Sequence, residues 1–249
     1  MKRELWQGTL TAQHCPAWPC PACKKGTAAL VPNTLQSEET VDSKREHSND
    51  DWEPEWIAYT FVAWAECTHP SCNQRFALAG TGGVEPVPDD EYGMTLEDYF
   101  VPKYCTPMPH LFEIPKKCPN DVRNELLASF DLFFHDSAAS ANRLRVALEL
   151  LMRHLGMFTM ATGKAAPNLD GAIKNFATNS PELGAQLMAL KWLGNTASHD
   201  GSASKSDILD AFEILEHVLA EILERRSERV AQLAKELTSR HRSGKLFRN

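Results

Sequence analysis

Two close pairs of cysteines constrain this chain more than any other feature of its sequence. Cys20 and Cys23 are separated by two residues and followed by Gly26, and Cys67 and Cys72 form a second pair further along. A close pair on a tight turn directs both thiolates at one metal ion, and two such turns complete a tetrahedral four-sulfur site. The sequence therefore predicts that these four cysteines hold one Zn²⁺.

The predicted zinc site is structural, because four thiolates leave no coordination position open for a reacting water. Cys15, five residues before Cys20, and His69, inside the second pair, are alternative ligands. A redox C-x-x-C motif is the other alternative, but no βαβ pattern surrounds it. Cys105 and Cys118 have no partner at ligand spacing and are expected to be buried or unreactive thiols.

The first part of the chain, residues 1–80, is predicted to form a small zinc-ribbon-like β domain. Residues 56–67 and 75–80 are rich in β-branched and aromatic side chains, which is typical of strands. Residues 37–55 are polar and charged and have no apolar face, so they are predicted to be a mobile loop. Residues 81–118, rich in Gly, Pro and acidic side chains, are predicted to be an irregular linker that packs between domains.

Residues 119–224 carry apolar side chains at helical spacing in five segments. Short connections between such segments favour an antiparallel helical bundle. One of the helices is expected to begin at Pro181 and to end at Gly194-Asn195, where a glycine serves as a C-terminal cap. The fold class predicted for the whole chain is therefore α+β, a small β zinc ribbon followed by helices.

Charge is distributed unevenly along the chain. The formal net charge is −7, but residues 225–249 carry eight basic and two acidic side chains, so this basic tail is +6 and the rest is −13. The tail is predicted to be a helical extension that binds nucleic-acid phosphates, or an acidic surface of its own or a partner chain. A solvated helix end is the simplest alternative. The candidate nucleic-acid-binding residues are Arg240, Arg242, Lys245 and Arg248.

No run of about 18 apolar residues is present, and the N-terminal segment has no apolar stretch typical of a secretion signal. We therefore expect a cytoplasmic protein with no membrane partner.

Two polar sets interrupt the apolar pattern of the helical region. Arg145, Glu149 and Arg153 are spaced four residues apart, and a polar stretch from Lys191 to Gly201 contains a histidine. Their simplest interpretation is a surface ion-pair ladder and a helix cap followed by a loop.

The same residues carry a family resemblance. LRVALELLMRHLG (144–156) followed by LGNTASHDG (193–201) is similar to the domain-of-unknown-function family DUF-4145, which is related to the HEPN (higher eukaryotes and prokaryotes nucleotide-binding) helical domains. The cysteine pairs and the segment 100–119 resemble members that place a cysteine-rich zinc ribbon ahead of the helices. The resemblance implies an antiparallel HEPN-like bundle over 119–224 that forms a homodimer.

Many HEPN proteins are metal-independent ribonucleases that use an Arg, a neighbouring polar residue and a His four positions later. The resemblance places Asn195 and His199 at the polar and His positions, but the Arg position holds Gly194. Lys191, Arg145 and Glu149 would be the supporting polar residues.

Because the arginine is replaced, the sequence favours a non-catalytic zinc-containing module that binds RNA, DNA or a protein partner in a bacterial defence or restriction-type system. One alternative is a metal-independent ribonuclease, a toxin or anti-phage effector, that uses His199. A second alternative is a dimeric structural adaptor.

Overall fold

The computed structural model describes residues 1–89, 93–158, 167–200 and 203–242, with the side chains of 196–200 and 242 outside the description. An antiparallel sheet is followed by helices, so mixed strand and helix content is confirmed. The elements are α1 (Glu4–Gln7), β1 (Ala28–Leu30), β2 (Gln36–Glu39), α2 (Val41–Glu46), a 3₁₀ turn (Pro54–Trp56), β3 (Ala58–Cys67), β4 (Arg75–Asp89), β5 (Gly93–Thr106), α3 (Asn120–Leu132), α4 (Ser137–His154), α5 (Leu169–Ala177), α6 (Pro181–Asp200), α7 (Lys205–Glu224) and α8 (Arg226–Arg242).

The sheet has five strands, of which four follow the order β1-β3-β4-β5. The fifth, β2, also pairs with β3. Successive side chains of a strand point to opposite faces. In β3 this alternation buries Phe61, Ala63 and Ala65, while Val62 and Trp64 are exposed on the outer face.

The prediction that residues 81–118 are an irregular linker is wrong for much of its length, because β4 and β5 form a long hairpin across it. Prolines obscured this pattern in the sequence. Pro86 and Pro88 lie beyond Gly83, where the pairing of β4 with β3 ends, so β4 there pairs only with β5. A proline is tolerated in such a two-stranded extension because one side of the strand needs no hydrogen-bond donor.

The charged stretch 37–55, predicted to be a mobile loop, contains part of β2, all of α2 and the start of the 3₁₀ turn. Ser43 anchors this polar segment to the start of β3. Its hydroxyl is buried, donates to the Glu39 carboxylate at 2.7 Å, and accepts from the Ala58 N–H at 3.1 Å. A serine gives no apolar signal, which is why the sequence did not indicate this anchor.

In the helical region, α4 packs between α3 and α6, and α6 also contacts α5 and α7. The expected end of α6 at Gly194-Asn195 is wrong, since the helix continues to Asp200. Gly194 lies where α6 crosses α4, and a Cβ at this position would lie 2.8 Å from the Cβ of Arg145. The glycine is therefore required by close helix packing and does not cap the helix.

The core is continuous from the N-terminal segment to the helices. Trp6 and Trp18 stack with ring centroids 6.2 Å apart, and Trp6 meets Phe133 edge to face at 6.2 Å. Phe130 of α3 packs against Phe212 of α7 at 5.2 Å. These aromatic rings belong to a single buried cluster that also includes Cys20 and Cys67.

Arg225 alone joins α7 to α8. Its backbone is left-handed, with φ of 50°, and its N–H donates to the Glu221 carbonyl. All α8 side chains that the structure describes are exposed. None of the described helices has the length and apolar character needed to cross a membrane.

Candidate metal centre

The first cysteine pair lies on a tight turn before β1. The Cys20 N–H donates to the Gly26 carbonyl at 3.0 Å, and the Lys24 N–H donates back to the Cys20 carbonyl at 3.0 Å. Lys24 has a positive φ of 57°, which directs the following N–H groups inward. The N–H groups of Lys25 and Gly26 then donate to the Cys23 sulfur at 3.4 and 3.5 Å.

The second pair, in the turn between β3 and β4, has the same design. The Cys67 N–H donates to the Gln74 carbonyl at 2.8 Å, and the Cys72 N–H donates to the His69 carbonyl at 2.9 Å. Asn73, directly after the second cysteine, has a positive φ of 48°. The His69 N–H donates to the Cys67 sulfur at 3.4 Å.

The two turns bring all four sulfurs together, and these sulfurs lie within 4.8 Å of one another. Cys20 and Cys72 are 3.6 Å apart, as are Cys23 and Cys67. Zn–S bonds of about 2.3 Å in a tetrahedron require sulfur separations of about 3.8 Å, whereas a disulfide requires about 2.05 Å. The donor set and spacing therefore fit a tetrahedral thiolate-bound metal ion.

Gly26 makes the approach of the two turns possible. A Cβ at Gly26 would lie 2.5 Å from the Cys67 sulfur and 2.7 Å from the His69 nitrogen. Any side chain would therefore separate the two cysteine pairs, which explains the glycine after the first pair.

The surroundings of the cluster shift the pKa values of its thiols in opposite directions. Donation from the Gly26 and Lys25 N–H groups lowers the pKa of Cys23 to about 6. Burial raises the pKa of Cys67 to about 12. A dication offsets the cost of ionising the buried thiols, so metal binding would release protons from this site.

The alternative ligands predicted from the sequence lie outside the cluster. Cys15 is half-buried with its sulfur at 3.5 Å from the Pro16 carbonyl, and burial raises its pKa to about 12. His69 contributes its backbone N–H, while its ring Nδ1 lies 3.2 Å from the Ser71 hydroxyl. Burial also raises the pKa of both Cys105 and Cys118.

The two polar sets of the helical region meet where α4 crosses α6. The Arg145 Nε donates to the Asn195 Oδ1 at 3.2 Å. Glu149 instead pairs with Arg153 at 2.6 Å, so the expected three-residue ladder is reduced to one ion pair. His199 lies on α6 one helical turn after Asn195, but its side chain is outside the described residues.

Lys191 is engaged inside the fold. It is buried, its ammonium lies 2.7 Å from the Asp170 carboxylate, and it sits 4.1 Å from the ring centroid of Trp192. Hydrogen bonds from Lys174 and Lys191 lower the pKa of Asp170. The ammonium of Lys191 thus connects α6 to α5 and does not extend to the surface as a free cation.

Of the predicted nucleic-acid-binding residues, Arg240 lies on α8 with its guanidinium 3.7 Å from Glu236. The Arg242 side chain, Lys245 and Arg248 lie outside the described residues. Sequence reasoning missed two exposed aromatic side chains on the outer face of the sheet, Trp64 and Tyr104. The alternation of exposed and buried positions in β3 was the available signal for Trp64.

The two halves of the chain resemble two different families. Residues 8–105, which include all four clustered cysteines, match the model of Domain of unknown function (DUF8608). No curated protein and no solved structure matches the chain. The resemblance predicted from the helical region is confirmed at the level of the family model, because residues 128–240 match Domain of unknown function (DUF4145).

Proposed function

We propose that this protein is a non-catalytic binding module, stabilised by structural zinc, that holds nucleic acid through α8. The exposure of α8 carries the proposal. This helix contains five of the eight cations of the basic tail and only two acidic residues, Glu228 and Glu236, while residues 1–224 carry a net charge of −13. A cationic helix on an otherwise acidic protein attracts a polyanionic ligand to that helix, because the rest of the surface repels it.

Arg229 and Arg240 would make the phosphate contacts. They are separated by eleven residues, or about three helical turns, so they lie on nearly the same side of α8. Cations on one side of a helix follow a phosphate backbone along its length. Each phosphate contact releases condensed counterions, so the affinity falls as salt concentration rises.

The test is binding of fluorescent single-stranded RNA and duplex DNA at several salt concentrations. We expect Arg229→Ala with Arg240→Ala to weaken binding at least tenfold in about 0.1 M salt and to reduce the salt slope by about 2. Lys44→Ala with Arg45→Ala, in α2, removes the same charge elsewhere and is the matched control. Equal effects of the two double variants would refute a specific role of α8.

We further propose that the module works as a homodimer in the cytoplasm of a bacterial defence or restriction-type system. The HEPN resemblance supports the dimer and the setting, and the composition supports the compartment. A protein from such a system is the alternative partner, and a dimeric structural adaptor is the outcome if no nucleic acid binds.

A metal-independent ribonuclease is a second candidate, favoured by the contact between Arg145 and Asn195. The contact holds a guanidinium at the α6 face one turn before His199, although Gly194 occupies the usual arginine position. His199 would accept the proton of an RNA 2′-hydroxyl as the 2′ oxygen attacks phosphorus, and the departing 5′ oxygen would take a proton from water as its bond to phosphorus breaks. Arg145 would stabilise the charged phosphorane.

The ribonuclease is tested with zinc-loaded protein and RNA in buffer free of Mg²⁺. Cleavage is expected to yield 2′,3′-cyclic phosphate ends, to be abolished by His199→Ala, and to fall about 100-fold in Arg145→Ala. Arg143→Ala, on the same helix and paired with Glu125, is the control. RNA that stays as intact with wild type as in buffer alone would exclude this candidate.

A further inference from the structure

The outer face of the sheet contains a cleft of about 550 Å³ between two exposed aromatic side chains. Trp64 of β3 is 48% exposed and Tyr104 of β5 is 55% exposed. Val62, Ala77, Ala79 and Gln36 are among the other residues that line the cleft.

Strand register explains why the cleft is open. Trp64 lies opposite Ala77, and Ala79 lies between Val62 and Tyr104. Neighbouring strands are about 4.8 Å apart, so the two aromatic residues stand on strands about 10 Å apart with alanines between them. The small side chains leave room for a planar ring beside each aromatic side chain.

Both aromatic positions are held in place. The backbone N–H of Trp64 donates to the Thr34 hydroxyl at 3.1 Å, and that hydroxyl donates to the Val31 carbonyl at 2.8 Å. The Tyr104 hydroxyl lies 3.2 Å from His135 Nε2, and the two rings are 4.5 Å apart. The backbone of Trp64 and the ring of Tyr104 are therefore fixed by contacts within the protein.

The backbone pairing and the side chains of the cleft limit the classes of ligand that could bind there. The central strands β3 and β4 have a strand paired on each side, so an extended peptide could add backbone hydrogen bonds only at the outer edge of β5 and not over the centre of the cleft. The rim offers uncharged hydrogen-bonding groups from Asn33, Gln36 and Thr106. Arg75 lies on the same face, two residues before Ala77, with its guanidinium 3.8 Å from the Glu66 carboxylate. Flat rings with hydrogen-bonding edges match this combination of exposed aromatic side chains, small alanines and uncharged polar groups.

We propose that Trp64 and Tyr104 form a stacking platform for the bases of single-stranded nucleic acid. The proposal rests on the proposed function and adds the form of the ligand, because bases of a duplex are not free to stack on protein side chains. The platform contacts bases, whereas α8 contacts phosphates.

The test compares a short single-stranded RNA with the same RNA carrying abasic nucleotides at its centre. We expect wild type to bind the intact strand about tenfold more tightly than the abasic strand. Trp64→Ala and Tyr104→Ala are expected to remove this preference, while Tyr104→Phe, which keeps the ring, retains it. Trp56→Ala, which removes an exposed tryptophan outside the cleft, is the matched control and should behave as wild type. Zinc content and thermal unfolding confirm that each variant is folded.

The outcomes separate this proposal from the one before it. Equal binding of intact and abasic strands, with affinity still dependent on Arg229 and Arg240, overturns the platform and supports α8. A base preference that depends on Trp64, with no effect of the α8 variants, supports the platform and overturns α8. Absence of binding to any strand, or equal loss in Trp56→Ala, overturns the platform as well.

Discussion

At the scale of single residues, cysteine spacing was sufficient to predict that the four cysteines cluster, but not what surrounds them. The spacing did not decide between the ring and the backbone of His69, because only the fold of the second turn shows that its N–H faces Cys67. The sequence showed that Gly26 follows the first cysteine pair. It did not show why, because the reason is the close approach of Cys67, a residue distant in the chain.

Gly26→Ala tests this close approach. The new methyl group would overlap the Cys67 sulfur, so we expect zinc affinity to fall about 10- to 100-fold, as for other changes beside metal ligands. Competition with a chromogenic chelator measures the affinity. Gly8→Ala, whose Cβ would lie no nearer than 3.6 Å to its neighbours, is the control. An affinity of Gly26→Ala equal to that of the control would contradict the packing argument.

At the scale of elements, local rules predicted the helical segments within residues 119–224 but misplaced one boundary. Gly194 followed by Asn195 is a typical C-terminal cap, and that local preference is overridden because α4 packs directly against Gly194. The strands β4 and β5 were missed for a related reason, since glycines and prolines in the hairpin hide the alternation that would have indicated them.

Gly194→Ala separates the two explanations for this glycine. Intrinsic helix propensity alone would stabilise the variant by about 1 kcal/mol. We expect overpacking against Arg145 to outweigh this gain, so that the free energy of unfolding falls by about 1–2 kcal/mol. Urea unfolding provides the measurement. Ala185→Gly, at an exposed position of the same helix, is expected to lose about 1 kcal/mol through propensity alone. Stabilisation by Gly194→Ala would show that α4 does not restrict this position.

At the scale of the whole molecule, the sequence predicted two adjoining parts, whereas the structure contains one continuous core. The residues that join the parts, among them Trp6, Trp18 and Phe112, lie in a short helix or in segments without a regular period. Such residues carry no signal of what they pack against, so only the folded chain reveals the connection.

Removal of zinc is therefore expected to weaken the helices as well as the sheet. Trp18 lies two residues before Cys20 and packs against Phe134 with ring centroids 5.4 Å apart. We expect a chelator to lower the unfolding temperature of the helices, followed by circular dichroism, by about 10 °C, which corresponds to a few kcal/mol. Added Zn²⁺ should restore it. A helical transition that is indifferent to zinc would mean that the two parts unfold independently.

The single-residue junction at Arg225 has an electrostatic consequence. The 17 residues of α8 span about 26 Å, whereas charges in physiological salt are screened over about 8 Å. Cations near the far end of α8 are thus about three screening lengths from the last turn of α7. Repulsion between a polyanion and the negative body is correspondingly weak near Arg240, so the length of the helix allows its outer end to bind an anionic ligand although the protein is acidic.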